Sequence, residues 1–357
     1  MQPRDLSAHT EYVAGRGIEE VARELGMEPT ELIKLASNEN AFGPSPAAVD
    51  AIEAHAGSVS SYPKTSHTDL TERLATDWNV EPDQIWLSAG GDGSLDYLSR
   101  AILRPGEKVL VPQPGFAYYA MSARYHHGEI HEYSLDQGDG FTQRGETVLS
   151  AYDGERIVYL TSPHNPTGTV CPLEDVERIA EETDEETLVV VDEAYGEFAD
   201  VDSAVGLVRE RDDVAVIRTF SKAYGLAGLR LGYAITPSEW ADAYARVNTP
   251  FAAGELSCRA GLAALDDDEH VERTVSTVEW AREYIYEHVD APTWESHGNF
   301  VLIQVGDATT VADRLQERGV IVRDCTSFGL ADCIRVTCGT EAETKRAVEA
   351  INEVLAE

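Results

Sequence analysis

Lysine is scarce: of 28 basic side chains only five are lysines, at Lys34, Lys64, Lys108, Lys222 and Lys345. Against 64 Asp and Glu the formal net charge is −36. Nucleic acid is thereby excluded as a partner, because phosphate contacts need clustered Lys and Arg. The acids are spread along well-patterned segments, so the charge does not read as disorder. It reads as adaptation to concentrated salt, since at about 1 M the Debye length is roughly 3 Å and acid–acid repulsion is mostly screened. No apolar run reaches the about 18 residues of a membrane-spanning helix. The opening Met-Gln-Pro-Arg-Asp-Leu-Ser-Ala-His-Thr lacks the apolar core of a secretion signal, and a cytoplasmic location is expected. The cysteines are odd in number, Cys171, Cys258, Cys325, Cys333 and Cys338, with no CxxC pair, so neither a zinc site nor a redox motif is expected. Internal repeats are absent.

What is present suits two domains: 357 residues exceed one ordinary core, and 43% of them are hydrophobic. Short apolar runs at Ile85–Ser88, Val109–Val111, Ile157–Leu160, Leu188–Val191, Val214–Ile217 and Leu231–Ala234 read as buried strands. Helical patterns lie between several of them, with Leu95, Leu98 and Ile102 on one face and another helix around Leu173 to Ala180. Continuous apolar strands alternating with helices predict an α/β fold, a large domain whose mostly parallel sheet is covered by helices. Past about residue 245 the pattern changes. A long polar helix from about Glu269 to His288 is followed by a strand at Asn299–Val305, a helix at Val311–Arg318, strands at Val320–Arg323 and Cys333–Val336, and a last helix from Glu341. This predicts a smaller α+β domain. The expected division is 1–36 as N-terminal arm and part of the small domain, 37–245 as the large domain and 246–357 as the small one. Ile18–Leu25 reads as a short helix able to pack on either.

The chemistry gathers at predicted strand ends. Lys222 sits in Thr-Phe-Ser-Lys-Ala-Tyr-Gly-Leu-Ala-Gly-Leu-Arg, just past a buried strand in a nearly apolar stretch. Most lysines are solvated; one that is desolvated near positive charge has a lowered pKa and suits Schiff-base chemistry. Ser221 and Arg230 add a hydroxyl and a fork of donors, the equipment for a phosphate. Asp192, directly after Val189-Val190-Val191, is either a helix cap or a carboxylate aimed into the ligand crevice, where a cationic ring nitrogen would pair with it. Tyr195 is core packing or a donor to a ring oxygen. The loop Ser162-Pro163-His164-Asn165-Pro166-Thr167-Gly168 is a rigid turn in which Asn165 could serve the same oxygen, while His164 reads as structural. Ser88-Ala89-Gly90-Gly91-Asp92-Gly93 joins a strand to a helix, and its small residues let an anion approach the helix start. It matches neither a dinucleotide fingerprint nor a P-loop. Phe116 could stack on a flat ring, although core packing is the commoner fate.

Taken together, Ser-Lys-Ala-Tyr-Gly-Leu-Ala-Gly-Leu-Arg, Pro-His-Asn-Pro-Thr-Gly and Val-Asp-Glu-Ala-Tyr resemble the motifs of fold-type I, class II aminotransferases, which depend on pyridoxal 5'-phosphate. The resemblance runs from about Leu6 to Leu355. It implies that Lys222 anchors the cofactor as a Schiff base and shuttles a proton, and that Asp192 binds the pyridine nitrogen. Asn165 and Tyr195 would hold the ring oxygen and Phe116 would stack on the ring. Gly91, Asp92, Ser221 and Arg230 would bind the phosphate, with Tyr62 reaching in from the other subunit of a homodimer. Tyr12, Ser37-Asn38-Glu39-Asn40, Tyr62-Pro63 and the segments around Arg323 and Arg335 are similar to the members that move an amino group between L-histidinol phosphate and 2-oxoglutarate in histidine biosynthesis. Tyr12, Asn165, Arg323 and Arg335 would then bind the substrate. A threonine-phosphate decarboxylase, or an aromatic or broad-specificity aminotransferase, remains as an alternative. A cofactor-sensing regulator is not expected of a strongly acidic chain that begins at the arm. Gly93 departs from a common acid, Phe116 from a common tyrosine, and Ala41-Phe42 from a usual proline.

Overall fold

The computed structural model describes residues 6–7, 9, 11 and 17–357. Among these residues eleven strands form two sheets. They are β1 (Ile33–Leu35), β2 (Ile85–Ser88), β3 (Lys108–Gln113), β4 (Glu129–Ser134), β5 (Ile157–Thr161), β6 (Leu188–Asp192), β7 (Val214–Thr219), β8 (Gly232–Ile235), β9 (Phe300–Gln304), β10 (Val320–Asp324) and β11 (Cys333–Thr337). The large sheet has the order β2-β8-β7-β6-β5-β3-β4. Only β8 runs against its neighbours, β2 and β7; the other pairings are parallel.

All six apolar runs read from the sequence are strands of this sheet. Every residue of β5, β6 and β7 is buried, because helices cover both faces and leave no polar side. On one face Leu95 and Leu98 of the helix Gly90–Ile102 pack with Tyr119 and Ala123 of the helix Tyr118–Tyr125. On the other, Val176, Ile179 and Ala180 of the helix Leu173–Glu182 point inward at i, i+3 and i+4. The sequence reading missed β4. It is an edge strand, largely exposed and carrying Glu129, His131 and Glu132, so it lacks the apolar signal that a central strand needs.

The second sheet has the order β1-β10-β11-β9. β1 joins β10 in parallel through Ile33 and Val320, so this sheet draws on both ends of the chain. The helices Asp268–His288, Ala308–Glu317 and Glu341–Leu355 contribute to its core. Asp267, Asp307 and Thr340 cap them through side-chain oxygens that accept main-chain N–H groups. The short helix Ile18–Leu25 packs Val21 and Ala22 against Leu32, Ala36 and Ile321, on the small-sheet side. The helix Glu255–Ala264 lies against the helix Pro46–His55, and its Ala260 and Ala264 belong to the large core. All five cysteines are buried and free, and no described helix is long and apolar enough to cross a membrane.

Candidate active site

Because β5, β6 and β7 run in parallel, the segments that follow them leave the sheet at one edge, where open α/β sheets bind ligands. Asp192 closes β6 and is 7% exposed. One carboxylate oxygen accepts from the Tyr119 hydroxyl at 2.7 Å and the other from the Ala194 amide at 3.0 Å. Both partners are neutral. Burial pushes the Asp192 pKa up to about 6, a rise that the Tyr119 and Ala194 bonds oppose and the negative charges of Asp92 and Glu193 reinforce. Asp192 also makes the short local bond of a capping side chain, to Ala194. It caps no helix, because the next helical turn, Gly196–Phe198, starts at Tyr195 without a side-chain cap.

After β7 the chain turns through Ser221 to Lys222. The Thr219 hydroxyl donates to Ser221 Oγ at 3.0 Å and accepts from the Ser221 amide at 3.1 Å, holding the turn. Lys222 Nζ lies 3.4 Å from the Ser37 carbonyl and 5.4 Å from the centre of the Tyr195 ring. Tyr195 is 5% exposed. Its hydroxyl accepts from Asn38 Nδ2 at 3.0 Å, and its ring meets Phe300 edge-on at 5.1 Å.

Gly91 and Asp92 stand in the first turn of the helix Gly90–Ile102, whose start has no side-chain cap. Arg230, in the left-handed region at φ 51°, donates to the Asp92 carboxylate at 3.1 Å. Burial raises the Asp92 pKa, and the positive charges of Arg230 and Lys222 oppose the rise. Gly90, at φ 77°, lies directly against the Arg230 guanidinium, with no room for a Cβ. Gly232 of β8 likewise approaches the Gly90 and Gly91 backbone, so that a Cβ there would stand 2.6 Å from the Gly90 carbonyl carbon. These glycines let strand, helix start and arginine converge on one small cradle of donors. The sequence reading names Gly91 for the phosphate; the backbone of both Gly90 and Gly91 is the one Gly232 approaches, and the positive φ belongs to Gly90.

From the other sheet, Arg335 of β11 is 5% exposed and stands opposite Arg323 of β10. It donates to Asn165 Oδ1 and, at 2.9 Å, to the Ala36 carbonyl, and its guanidinium lies 5.2 Å from the Phe300 ring centre. Arg323 is less buried and donates to Ser327 Oγ at 2.9 Å. Phe116 contacts Tyr119 edge-on at 5.5 Å. His164 is fully buried, shares a hydrogen with Thr167 Oγ1 at 2.8 Å, and is pushed down to about pKa 3 by burial, in keeping with a structural residue.

Two residues stand apart. Tyr62 is 84% exposed and stacks on Phe251 at 4.8 Å, outside these contacts. Tyr12 lies outside the described residues. Two further residues went unassigned in the sequence. Tyr119 follows Phe116 by one helical turn, and that aromatic cluster after β3 was its only signal. Asn38 was visible within a motif but carried no role.

A family model for class I and II aminotransferases matches residues 30–351. The histidinol-phosphate aminotransferase of Haloarcula marismortui is 68% identical over 357 residues, 100% of this chain and 99% of its own length. That of Haloferax volcanii is 64% identical over the same length, with the same shares of the two chains. The crystal structure of histidinol-phosphate aminotransferase from Sinorhizobium meliloti in complex with pyridoxal-5'-phosphate covers 99% of this chain and 98% of its own, with a TM-score of 0.89 and 28% identity. A Thermus thermophilus aspartate aminotransferase mutant covers 99% and 100%, with a TM-score of 0.85 and 25% identity. With its lysine, carboxylate and glycine cradle at the ends of a mostly parallel sheet, the chain belongs to the class I and II aminotransferases.

Proposed function

We propose that this protein uses pyridoxal 5'-phosphate to move an amino group between L-histidinol phosphate and 2-oxoglutarate, giving imidazole acetol phosphate and L-glutamate, as a step of histidine biosynthesis. The observation that carries the reading is full-length identity of 64–68% to histidinol-phosphate aminotransferases. It is supported by Asp192 at the end of β6 and Lys222 just past the neighbouring β7, and by Arg335 donating to Asn165 beyond β5.

The residues fit the cofactor. Asp192 is a buried carboxylate held by two neutral donors, and a cationic ring nitrogen is the partner that would offset its burial. The uncapped helix start at Gly90, with Arg230 and the Ser221 hydroxyl, suits a phosphate. Pyridoxal phosphate supplies the electron sink for the substrate carbon that loses a proton. The protein's part is orientation and charge. Lys222 would anchor the aldehyde and, once free, carry the proton at the substrate Cα. Asp192 would keep the ring nitrogen protonated, Asn165 and Tyr195 would donate to the ring oxygen, and Phe116 would lie against the ring. Arg335 and Arg323 would take the anionic end of the substrate with Tyr12, each arginine able to make charge-assisted forked bonds to a carboxylate or phosphate. Resemblance to dimeric family members leads us to a homodimer, in which Tyr62, solvent-exposed beside Phe251 in a single chain, would reach the partner's phosphate. The acidic surface would serve a salt-rich cytoplasm.

The test is substrate preference in molar salt. Histidinol phosphate should outpace phenylalanine and aspartate as amino donor to 2-oxoglutarate. Equal rates would remove the narrow assignment, and carbon dioxide released from threonine phosphate would replace it with the decarboxylase.

A further inference from the structure

Asn38 sits where the two sheets meet. It is 1% exposed and adopts φ 54°, a left-handed conformation that asparagine tolerates better than most residues. Each of its polar groups is engaged. Its amide N–H donates to Thr337 Oγ1 at 2.9 Å and its carbonyl accepts from Asn299 Nδ2 at 3.1 Å. Its side-chain Oδ1 accepts from the Thr337 hydroxyl at 3.2 Å and its Nδ2 donates to the Tyr195 hydroxyl at 3.0 Å. Thr337 ends β11, Asn299 precedes β9, and Tyr195 follows β6.

The directions of these bonds are not independent. A main-chain N–H can only donate, so Thr337 Oγ1 must accept from Asn38 and has its own proton left to give. That proton points to Asn38 Oδ1. With the side-chain amide reversed, the Thr337 hydroxyl would face two donors and Oδ1 would face Tyr195. The favoured arrangement leaves Nδ2 toward Tyr195, whose oxygen accepts and whose proton must point elsewhere. Lys222 lies over that ring, and Arg335 stacks over the same Phe300 that Tyr195 touches.

We propose that Asn38 is a positioning residue that sets the direction of hydrogen bonding at Tyr195, obliging the phenol to donate into the cofactor site rather than back into the protein. The proposal rests on the reading of Tyr195 as donor to the ring oxygen. It adds that the donation is enforced from the small sheet, through Thr337 and Asn38, and that Tyr195 alone does not secure it.

The experiment uses the holoenzyme and reads the pH at which the bound cofactor's absorption band titrates. A donor to the ring oxygen stabilises its negative charge most when the lysine-linked nitrogen has lost its proton, so the donor lowers that pH. A hydrogen bond to a charged group corresponds to about one to two pH units. Tyr195→Phe should therefore raise the titration by about that much. Asn38→Asp, which offers the phenol an acceptor, should raise it comparably. Asn38→Gly, which keeps the positive φ accessible and adds no charge, should raise it part of the way. Combined with Tyr195→Phe, neither Asn38 variant should add a further shift, since each acts through the phenol. A shift by Asn38→Asp that survives in the Tyr195→Phe background is a plain charge effect and overturns the proposal. So does an unmoved titration in Asn38→Gly when Tyr195→Phe moves it. If Tyr195→Phe itself moves nothing, the reading of Tyr195 falls first and the proposal goes with it.

Discussion

Asp192→Asn should have opposite effects on the empty and the loaded enzyme. In the cofactor-free protein Asp192 is buried against two neutral donors, and its pKa stands at about 6 instead of 3.8. A native-state pKa above the unfolded value means that the native state binds more protons between these two pH values, so stability falls as pH rises through that window. The rise of about two pH units, at roughly 1.4 kcal/mol each, amounts to a loss on the order of 3 kcal/mol, complete above pH 6. Asparagine escapes this loss. Its oxygen can accept from the Ala194 amide, its NH₂ can donate to the Tyr119 oxygen, and that phenol can turn its proton to Thr161 Oγ1, 2.8 Å away. The apo variant should therefore be more stable than the apo wild type at pH 7 and equal to it near pH 4. Loaded with pyridoxal phosphate the order should reverse, because the charge proposed to face the ring nitrogen is gone. Removing one partner of a buried charge pair costs about 2–5 kcal/mol, or tens- to thousands-fold, and kcat should fall far more than cofactor occupancy. Thermal unfolding of apo and holo proteins in molar salt at both pH values, with kcat at pH 7, measures both arms. An apo variant less stable than wild type at pH 7 would refute the burial argument, and an unchanged kcat would refute the role at the ring nitrogen.

Arg335→Ala should lower kcat/KM for both glutamate and histidinol phosphate, by about 2–5 kcal/mol in steady-state assays, since both anions would use a guanidinium that also braces Asn165. Arg323→Ala should hurt histidinol phosphate more than glutamate, because phosphate has more oxygens to satisfy; equal losses would contradict this division. Gly90→Ala should displace Arg230 and strain a residue at φ 77°. Roughly 1–3 kcal/mol of stability should be lost, with pyridoxal phosphate bound more weakly in a fluorescence titration, whereas Gly228→Ala, with open space around it, should change neither. Moving from molar to millimolar salt should lower the thermal midpoint, because −36 charges lose their screening.

The parts of the fold legible in the sequence are those whose neighbours are all apolar. β5, β6 and β7 announce themselves because helices cover both faces, and the helix Asp268–His288 because its length and polar face persist. What was hidden depends on distant pairing. The reversed direction of β8 leaves no trace in Gly232–Ile235, and nothing in Ile33–Leu35 foretells β10, 287 residues on. The site divides in the same way. Lys222, Asp192 and Arg230 stand out by residue type beside a strand or within a glycine-rich turn. Tyr119 and Asn38 do not, since a tyrosine in an aromatic run and an asparagine in a loop are ordinary until the fold brings them to Asp192 and Tyr195.

The central claim is that Lys222 holds pyridoxal phosphate in this crevice. Borohydride reduction of the holoenzyme in molar salt, followed by digestion and mass spectrometry, tests it most directly. The pyridoxyl mass should appear on the peptide containing Ser221-Lys222-Ala223, and Lys222→Ala should abolish the label and nearly all turnover while leaving the far-ultraviolet circular dichroism unchanged. A label on Lys34, Lys64, Lys108 or Lys345 instead would contradict it.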